Sequence, residues 1–225
     1  MPKRIQHVLL DIDGTLVDSN DAHAHAWVQA MAAYGHWVPF DKVRPLIGMG
    51  ADKILPELLA LSPDSAEGQQ IRARRKTIFL SEYLPNLHPF PMARYLLRRM
   101  HEHGLKLVVA TSADPDELQH LLRVIGPDVQ DLFEQQISAK DVQHSKPDPD
   151  LVYAALQRTG AQPAASVMIG DTVYDVEAAA QVEVKTIAFR CGGWSDDHLQ
   201  GAIAIYDGPA DLLAHYQESP LVQGI

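Results

Sequence analysis

Short apolar segments recur along this chain, each bounded by polar or turn-forming residues, and this pattern predicts buried strands. The segments cover residues 7–11, 105–111, 135–138, 166–171, 184–189 and 202–206. Between them, helical periodicity appears at 117–124, 149–158 and 173–180. Strands that alternate with helices are typical of a parallel sheet with crossover helices on both faces. We therefore predict a three-layer α/β core.

The segment from residue 17 to residue 89 interrupts this alternation, because it contains helical patterns and no convincing strand. One helix is expected at 20–34, and another follows the Gly48-Met49-Gly50 turn. We predict an inserted helical cap domain of residues 17–89 that closes over the strand ends of a core domain, residues 1–16 and 90–225. Residues 217–225 are predicted to form a loose tail.

Composition and charge narrow the classes of function. Apolar residues make up 46% of the chain and charged residues 21%, as in ordinary globular proteins. The formal net charge of -10 argues against nucleic acid or an anionic membrane as partner. The single cysteine, Cys191, and the absence of a signal-peptide core predict a cytoplasmic protein without disulfides. We expect a small-molecule ligand, and the oligomeric state stays open.

Reactive side chains follow four of the predicted strands. They are Asp11 and Asp13 after the first, Thr111 and Ser112 after the second, Lys146 after the third, and Asp171 with Asp175 after the fourth. Ligands of parallel α/β sheets bind beyond the carboxyl ends of the strands. Carboxylates held together need a cation, and hard oxygen ligands suit Mg²⁺. A hydroxyl and a lysine supply what a phosphoryl group requires. The sequence therefore predicts a magnesium site beside a phosphoryl site.

Four segments, in this order, resemble the motifs of the haloacid-dehalogenase superfamily. They are residues 11–16 (DIDGTL), 108–112 (VVATS), 145–149 (SKPDP) and 169–175 (IGDTVYD). The resemblance spans almost the whole chain, and the helical insertion is similar to the first cap type of phosphoglycolate phosphatases and β-phosphoglucomutases. It implies a Rossmann-like parallel-sheet core with an inserted α-helical cap domain.

The resemblance also implies roles for these residues. Asp11 would attack phosphorus to form an aspartyl phosphate, while Asp13 would protonate the leaving oxygen and later activate water. The implied Mg²⁺ ligands are Asp171, a carboxylate oxygen of Asp11, the backbone carbonyl of Asp13, and Asp175 either directly or through water. The implied phosphoryl contacts are Thr111, Lys146 and the amides near Gly14 and Ser112. From the sequence alone, Asp175 could equally be an early-helix residue favoured by the helix dipole.

Several residues of the insertion are candidates for substrate contact. His23 and Trp27 share one face of the first predicted helix, which packing alone explains, although the matching histidine of β-phosphoglucomutases approaches the active site. Arg44 and Lys53 flank a loop similar to the specificity loop of this cap type. The basic cluster at 72–76 is interpreted as a solvated helix face.

Asp13 discriminates between reactions of the superfamily. Haloacid dehalogenases and phosphonoacetaldehyde hydrolases lack a carboxylate at the matching position, so both are disfavoured. β-Phosphoglucomutases share both aspartates but carry an arginine where Ala51 stands and an acidic residue where Gly170 stands, which makes a mutase the second hypothesis.

Two alternatives from another class are a receiver-like signalling protein and a non-catalytic phospho-ligand binding protein. A receiver domain does not carry its phosphoacceptor on the first strand and has no helical cap. We predict a Mg²⁺-dependent phosphatase of a small phosphate monoester. Phosphoglycolate, sugar phosphates and nucleoside monophosphates all stay open as substrates.

Overall fold

The computed structural model describes residues 3–225, and its centre is one sheet of six parallel strands. The strands are β1 (His7–Leu10), β2 (Lys106–Ala110), β3 (Phe133–Ile137), β4 (Ser166–Gly170), β5 (Lys185–Phe189) and β6 (Ala204–Tyr206). Their order across the sheet is β3-β2-β1-β4-β5-β6, and every neighbouring pair is parallel. The predicted α/β fold class is confirmed. β1 lies between β2 and β4, so three of the four predicted motifs meet at the middle of the sheet.

Helices connect and cover these strands. They are α1 (Asn20–Ala32), α2 (Phe40–Val43), α3 (Ala51–Leu59), α4 (Ala66–Ile78), α5 (Ala93–Glu102), α6 (Pro115–Ile125), α7 (Asp150–Thr159), α8 (Val173–Ala180), α9 (Pro209–Ala214) and α10 (Pro220–Gln223). A single π-helical turn, Phe79–Tyr83, continues α4. The first four helices precede β2 and form the predicted helical insertion. The residue bounds of the two domains stay a prediction.

Two apolar clusters form the core, one on each face of the sheet. Successive residues of a strand point to opposite faces, and in β1 Leu9 joins one cluster whereas Val8 and Leu10 join the other. The larger cluster continues into the insertion through residues such as Trp27 and Phe79. Because both faces of the central strands are buried, β1, β2 and β4 are mostly continuous apolar runs rather than alternating ones.

The two chain segments that join the insertion to the sheet pair with each other. The Asp18 N–H donates to the His88 carbonyl at 3.1 Å, and the Phe90 N–H donates to the Leu16 carbonyl at 2.9 Å. Between these bonds Val17 forms an antiparallel bridge with Pro89. The outgoing and returning segments therefore form a short two-stranded ribbon.

The prediction of a loose tail at 217–225 is wrong. Residues Pro220–Gln223 form α10, and Leu221 is only 5% exposed. The last residue, Ile225, exchanges two backbone hydrogen bonds with Lys3, of 2.7 and 3.0 Å. Apolar burial and backbone pairing thus order a segment whose composition resembles that of a free end. No helix in residues 3–225 is long and apolar enough to cross a membrane.

Candidate active site

Three buried carboxylates meet at the carboxyl ends of the two central strands. Asp11 follows β1 and Asp171 follows β4, and these strands are hydrogen-bonded neighbours. Asp175 lies in the first turn of α8, which brings its side chain back towards Asp171. One ligand oxygen from each of the three residues lies within 4.8 Å of the others. The structure therefore brings together the acidic residues that the strand-end pattern singled out.

Lys146 is the cation that faces this cluster. Its Nζ lies 2.9 Å from Asp11 Oδ1 and 2.7 Å from Asp175 Oδ1, and the residue is 1% exposed. Burial alone would lower the pKa of Lys146, but the two carboxylates raise it above its ordinary value, so the side chain is an ammonium. When all three carboxyl groups are ionised, the single ammonium balances only one of their three charges.

Asp171 is held by two donors. Thr15 Oγ1 donates to Asp171 Oδ1 at 2.8 Å, and Asn20 Nδ2 donates to Asp171 Oδ2 at 2.9 Å. Burial, followed by the charge of Asp175, raises the pKa of Asp171 to about 7 despite these donors. A carboxylate that hydrogen bonds hold in one orientation, with no cationic side chain bonded to it in residues 3–225, is suited to bind a cation.

Glycines allow the chain to approach Asp171 closely. A Cβ added at Gly192, in the turn after β5, would lie 1.7 Å from Asp171 Oδ2. A Cβ added at Gly14 would lie 2.3 Å from the same oxygen, and Gly14 has a φ of +74°. The Gly14 N–H donates to the Val17 carbonyl at 2.8 Å, so this amide, predicted as a phosphoryl contact, is engaged within its own loop. Because Gly14 has no side chain, the backbone at this position can lie close to the acidic cluster.

Asp175 combines the two interpretations that the sequence left open. Thr172 and Asp175 form a capping box at the start of α8, in which Asp175 Oδ2 accepts from the Thr172 hydroxyl at 2.7 Å and from the Thr172 N–H at 3.1 Å. Its other oxygen accepts from Lys146. Asp175 is thus an early-helix residue that also belongs to the acidic cluster.

Burial and the neighbouring carboxylates both disfavour the ionised form of Asp11. Burial raises the pKa of Asp11 well above its usual range, and repulsion from Asp175 and Asp171 adds to this, while Lys146 opposes it. A carboxylate that acts as a nucleophile must be ionised. A divalent cation among these oxygens would favour the ionised form, and an all-oxygen set of this charge suits a hard cation. The residues present therefore fit a divalent metal.

Asp13 lies beside the cluster in a different environment. It accepts a hydrogen bond from the Ser19 hydroxyl, and His23 Nε2 lies 2.8 Å from Asp13 Oδ1. Burial alone would raise the pKa of Asp13, but His23, Ser19 and the nearby Arg75 favour the charged form and hold the pKa below its ordinary value. The pKa values of Asp11 and Asp13 are thus pushed in opposite directions, upward for Asp11 and downward for Asp13.

Arg75 fixes the orientation of His23. Its Nη2 lies 2.5 Å from His23 Nδ1. A guanidinium has donors only, so Nδ1 accepts and the ring hydrogen sits on Nε2, which donates to Asp13. His23 also stacks on Phe79, with ring centroids 4.0 Å apart. His23 therefore contacts Asp13 as a hydrogen-bond donor, while its contact with substrate stays a prediction.

A buried ion pair holds Arg75 in turn. Arg75 Nη1 pairs with Glu117 of α6, which is 1% exposed, and the guanidinium lies over the Trp27 and Phe79 rings at 5.5 and 5.3 Å. The prediction of a solvated helix face is thus wrong for Arg75, although Arg72 and Arg74 are exposed as expected. We refer below to Glu117, Arg75, His23 and Asp13 as the polar relay, since each contacts the next.

The predicted phosphoryl contacts of β2 lie beside Asp11. Thr111 is buried, and its Oγ1 accepts from the Ala113 N–H at 3.1 Å, which leaves the hydroxyl hydrogen available to donate. The Ser112 hydroxyl donates to the Gly48 carbonyl of the insertion at 3.3 Å. Within residues 3–225, the N–H groups of Asp13 and Ser112 donate to no other group. These amides, rather than that of Gly14, are available to an anion.

Arg44 and Lys53 join the insertion to the core. Arg44 donates to Asp21 at 2.5 Å and to the Gly192 carbonyl at 2.6 Å. Lys53 pairs with Asp148, two residues after Lys146. Neither side chain lines the cavities described next, so their substrate contact stays a prediction.

Two adjoining cavities lie between the insertion and the strand ends. The inner chamber, of about 40 Å³, is lined by Asp11, Asp13, His23 and Thr111 among others. The outer chamber, of about 270 Å³, is lined mainly by α3, α4 and the loops after β2 and β3. Both are lined by Trp27 and Arg75. Since a water needs about 10–15 Å³, the inner chamber holds only a small group.

Comparison with known proteins agrees with this architecture. A "Probable phosphatase IndB" of Dickeya dadantii is 29% identical over 87% of this chain and 85% of its own length. A "Phosphoglycolate phosphatase" of Nitrosococcus oceani is 27% identical over 85% of this chain and 87% of its own length. A hydrolase from Pseudomonas syringae superimposes with a TM-score of 0.87 at 27% identity, covering 95% of this chain and 98% of its own.

The family comparison covers both the sheet and the insertion. Residues 5–183 match the haloacid dehalogenase-like hydrolases, and this span includes all four strand-end motifs. With the acidic cluster, Lys146 and the helical insertion in the arrangement described above, the chain belongs to the haloacid dehalogenase-like hydrolase family.

Proposed function

We propose that this enzyme is a Mg²⁺-dependent phosphatase that hydrolyses a small phosphate monoester through an aspartyl phosphate on Asp11. Its family and relatives make it a phosphoric monoester hydrolase; the metal, the covalent intermediate and the residue roles are our proposal. The observation that carries it is the buried cluster of Asp11, Asp171, Asp175 and Lys146 beside the separately held Asp13.

The metal would be held by Asp11 and Asp171, with Asp175 as a direct ligand or through water, and the resemblance adds the backbone carbonyl of Asp13. When bound, Mg²⁺ supplies positive charge to the phosphoryl oxygens and to the nucleophilic carboxylate. Lys146, the Thr111 hydroxyl and the free N–H groups of Asp13 and Ser112 supply further donors to the phosphoryl group.

In the first step an oxygen of ionised Asp11 attacks phosphorus, and the bond from phosphorus to the leaving oxygen breaks. The leaving oxygen takes a proton from Asp13. Asp13 is ionised in the ligand-free enzyme, and a phosphoryl dianion beside it raises its pKa by repulsion, which favours the proton that the step requires. The products are the aspartyl phosphate and the free alcohol.

In the second step Asp13, now ionised, removes a proton from water. The water oxygen attacks the phosphorus of the aspartyl phosphate, and inorganic phosphate leaves with Asp11 restored as a carboxylate. The hydrogen bonds from His23 and Ser19 hold Asp13 in one orientation for both proton transfers. One carboxylate thus forms the bond to phosphorus while the other transfers the protons.

The test is the Asp11→Asn variant, assayed with a panel of phosphate monoesters and Mg²⁺. We expect turnover to fall by about three orders of magnitude or more, because the nucleophile is lost, while the thermal transition stays cooperative. Asp197→Asn, at an exposed aspartate without partners in residues 3–225, is the matched control and should keep wild-type turnover. Acid-quenched wild-type enzyme should carry phosphate from a labelled substrate on Asp11. Near-normal turnover of Asp11→Asn, or a strict requirement for a sugar bisphosphate, would contradict the proposal.

A further inference from the structure

We infer that the leaving group of the substrate is neutral and rich in hydroxyls, as in a small sugar or polyol phosphate, and carries neither a carboxylate nor a second phosphate. This inference rests on the proposed function and concerns the outer chamber. It distinguishes among the phosphate esters that the sequence left open.

The leaving group is directed into the outer chamber. A phosphoryl group at Asp11 fills the inner chamber of about 40 Å³, so the rest of the ester extends into the adjoining space of about 270 Å³. That volume is just below the range of about 300–1,000 Å³ typical of sites for drug-sized ligands. The space suits a small metabolite.

The walls of the outer chamber carry an excess of negative charge. Its acidic lining residues are Asp52, Asp64, Asp114 and Glu117, and its basic ones are Arg72, Arg75 and Lys76. Four carboxylates against three cations leave one net negative charge. An anionic leaving group would therefore enter against repulsion, in addition to the charge of its own phosphate.

Existing ion pairs already occupy two of the three cations. Arg75 pairs with the buried Glu117, and Lys76 Nζ lies 3.0 Å from Asp116 and 3.6 Å from Asp114. A ligand carboxylate at either cation would compete with the protein carboxylate that is already paired there. Within residues 3–225 one donor of Arg75, its buried Nε, has no hydrogen-bond partner, and a ligand hydroxyl could accept from it.

Arg72 is the exception. It is exposed, it lies one helical turn before Arg75 on α4, and it makes no ion pair within the described residues. The acidic side offers free acceptors as well. Within the described residues Asp64 makes no ion pair, and Asp52 uses only Oδ2, which accepts from the Ser145 N–H at 3.0 Å. The outer chamber therefore offers a ligand both hydrogen-bond donors and hydrogen-bond acceptors.

Hydroxyl groups match such a wall. Each hydroxyl both donates and accepts, so it can donate to a carboxylate and accept from an arginine at the same time. Trp27, which lines both chambers, adds an apolar ring against which the carbon face of a sugar can pack. The mixed polar wall and the indole together favour a neutral polyhydroxylated group.

A near-isosteric pair of substrates provides the test. Glycerol 3-phosphate and 3-phosphoglycerate differ in that a hydroxymethyl group replaces a carboxylate at one end. We expect kcat/KM to favour glycerol 3-phosphate by about tenfold or more, equivalent to about 1.4 kcal/mol, and hexose phosphates to be hydrolysed at least as well. Asp64→Asn removes the net negative charge of the wall and should raise kcat/KM for 3-phosphoglycerate relative to glycerol 3-phosphate.

Two further measurements test whether Arg72 binds an anionic leaving group and whether the inference can fail separately from the proposed function. Higher kcat/KM for 3-phosphoglycerate, lost in Arg72→Ala, would overturn the inference and identify Arg72 as an anion receptor. Hydrolysis of p-nitrophenyl phosphate by the wild-type enzyme reports the chemistry independently of leaving-group charge. If it proceeds while the order of the pair is reversed, the inference alone fails; if neither it nor any ester is hydrolysed, the proposed function fails and the inference fails with it.

Discussion

The buried ion pair between Arg75 and Glu117 allows stability and catalysis to be separated. Glu117 is 1% exposed, so Arg75→Met leaves a buried carboxylate without its counterion. Breaking a buried pair from one side costs about 3–5 kcal/mol of unfolding free energy. The Arg75 side chain is 15% exposed, so Glu117→Gln leaves a cation that solvent can reach and an amide that can still accept. We expect that variant to lose only about 1–2 kcal/mol.

The double variant Arg75→Met/Glu117→Leu replaces both charges by apolar groups of similar length. Because such replacements of buried pairs are often close to neutral, we expect it to regain most of the stability that Arg75→Met loses. With Glu117→Leu as the second single variant of the cycle, the coupling energy should be about 2–3 kcal/mol, the upper end for residues in contact. Turnover should stay low, since His23 Nδ1 no longer accepts from a guanidinium and the tautomer that donates to Asp13 is no longer fixed.

Urea unfolding and steady-state kinetics at one pH and one Mg²⁺ concentration measure both quantities. A loss of stability in the double variant equal to the sum of the losses in Arg75→Met and Glu117→Leu would show that the pair is not coupled. Wild-type kcat in the double variant would show that the orientation of Asp13 does not depend on Arg75. As a conservative control, Arg75→Lys keeps the charge and should retain more stability than Arg75→Met.

Three further predictions follow from buried groups. His7 is buried, and neither of its ring nitrogens has a hydrogen-bond partner in residues 3–225. Burial lowers its pKa below 6.5, so the stability that it contributes is complete above pH 6.5 and is lost as the pH falls below this value. Urea unfolding at pH 7.5 and 5.0 should show a smaller pH effect in His7→Phe than in wild type. The pKa of Asp171 is about 7, so binding of Mg²⁺ near pH 7 should release protons and should tighten as the pH rises. Titration calorimetry in buffers of different ionisation enthalpy measures the proton release. Binding heats that do not depend on the buffer would contradict this prediction. Gly192→Ala would place a Cβ 1.7 Å from Asp171 Oδ2 and should weaken Mg²⁺ binding and turnover by about 100-fold. The control is Gly104→Ala, whose Cβ meets no atom of residues 3–225 within 4 Å and which should lose only stability.

The sheet and the convergence of its strand ends could be predicted because both depend on local signals. Continuous apolar runs mark buried parallel strands, and the residues after them must lie at one edge. Asp11 and Asp171 meet because β1 and β4 are neighbours, which no single segment specifies but the alternation of strands and helices favours. The signal for α5 was also present, since Ala93, Leu96, Leu97 and Met100 recur at helical spacing and are buried, but it lies in a strongly basic segment and was not predicted.

The polar relay could not be read from the sequence. Arg75 and Glu117 are 42 positions apart and lie on helices of the insertion and the core, and only the packing of these parts brings them together. Within the basic cluster, Arg72 and Arg74 are exposed whereas Arg75 is half-buried, a difference that composition does not contain. The ion pair between Lys53 and Asp148 could not be predicted for the same reason, because the two residues are 95 positions apart.

The paired ribbon at the base of the insertion has a mechanical consequence. Its two segments exchange hydrogen bonds across Val17 and Pro89, so neither can bend without the other. The insertion is thus attached by one double-stranded pivot rather than by two independent tethers, which restricts it to swinging and twisting about a common axis. The outgoing segment is also the loop that carries Asp13, four residues before Val17. Any swinging of the insertion would therefore also displace Asp13.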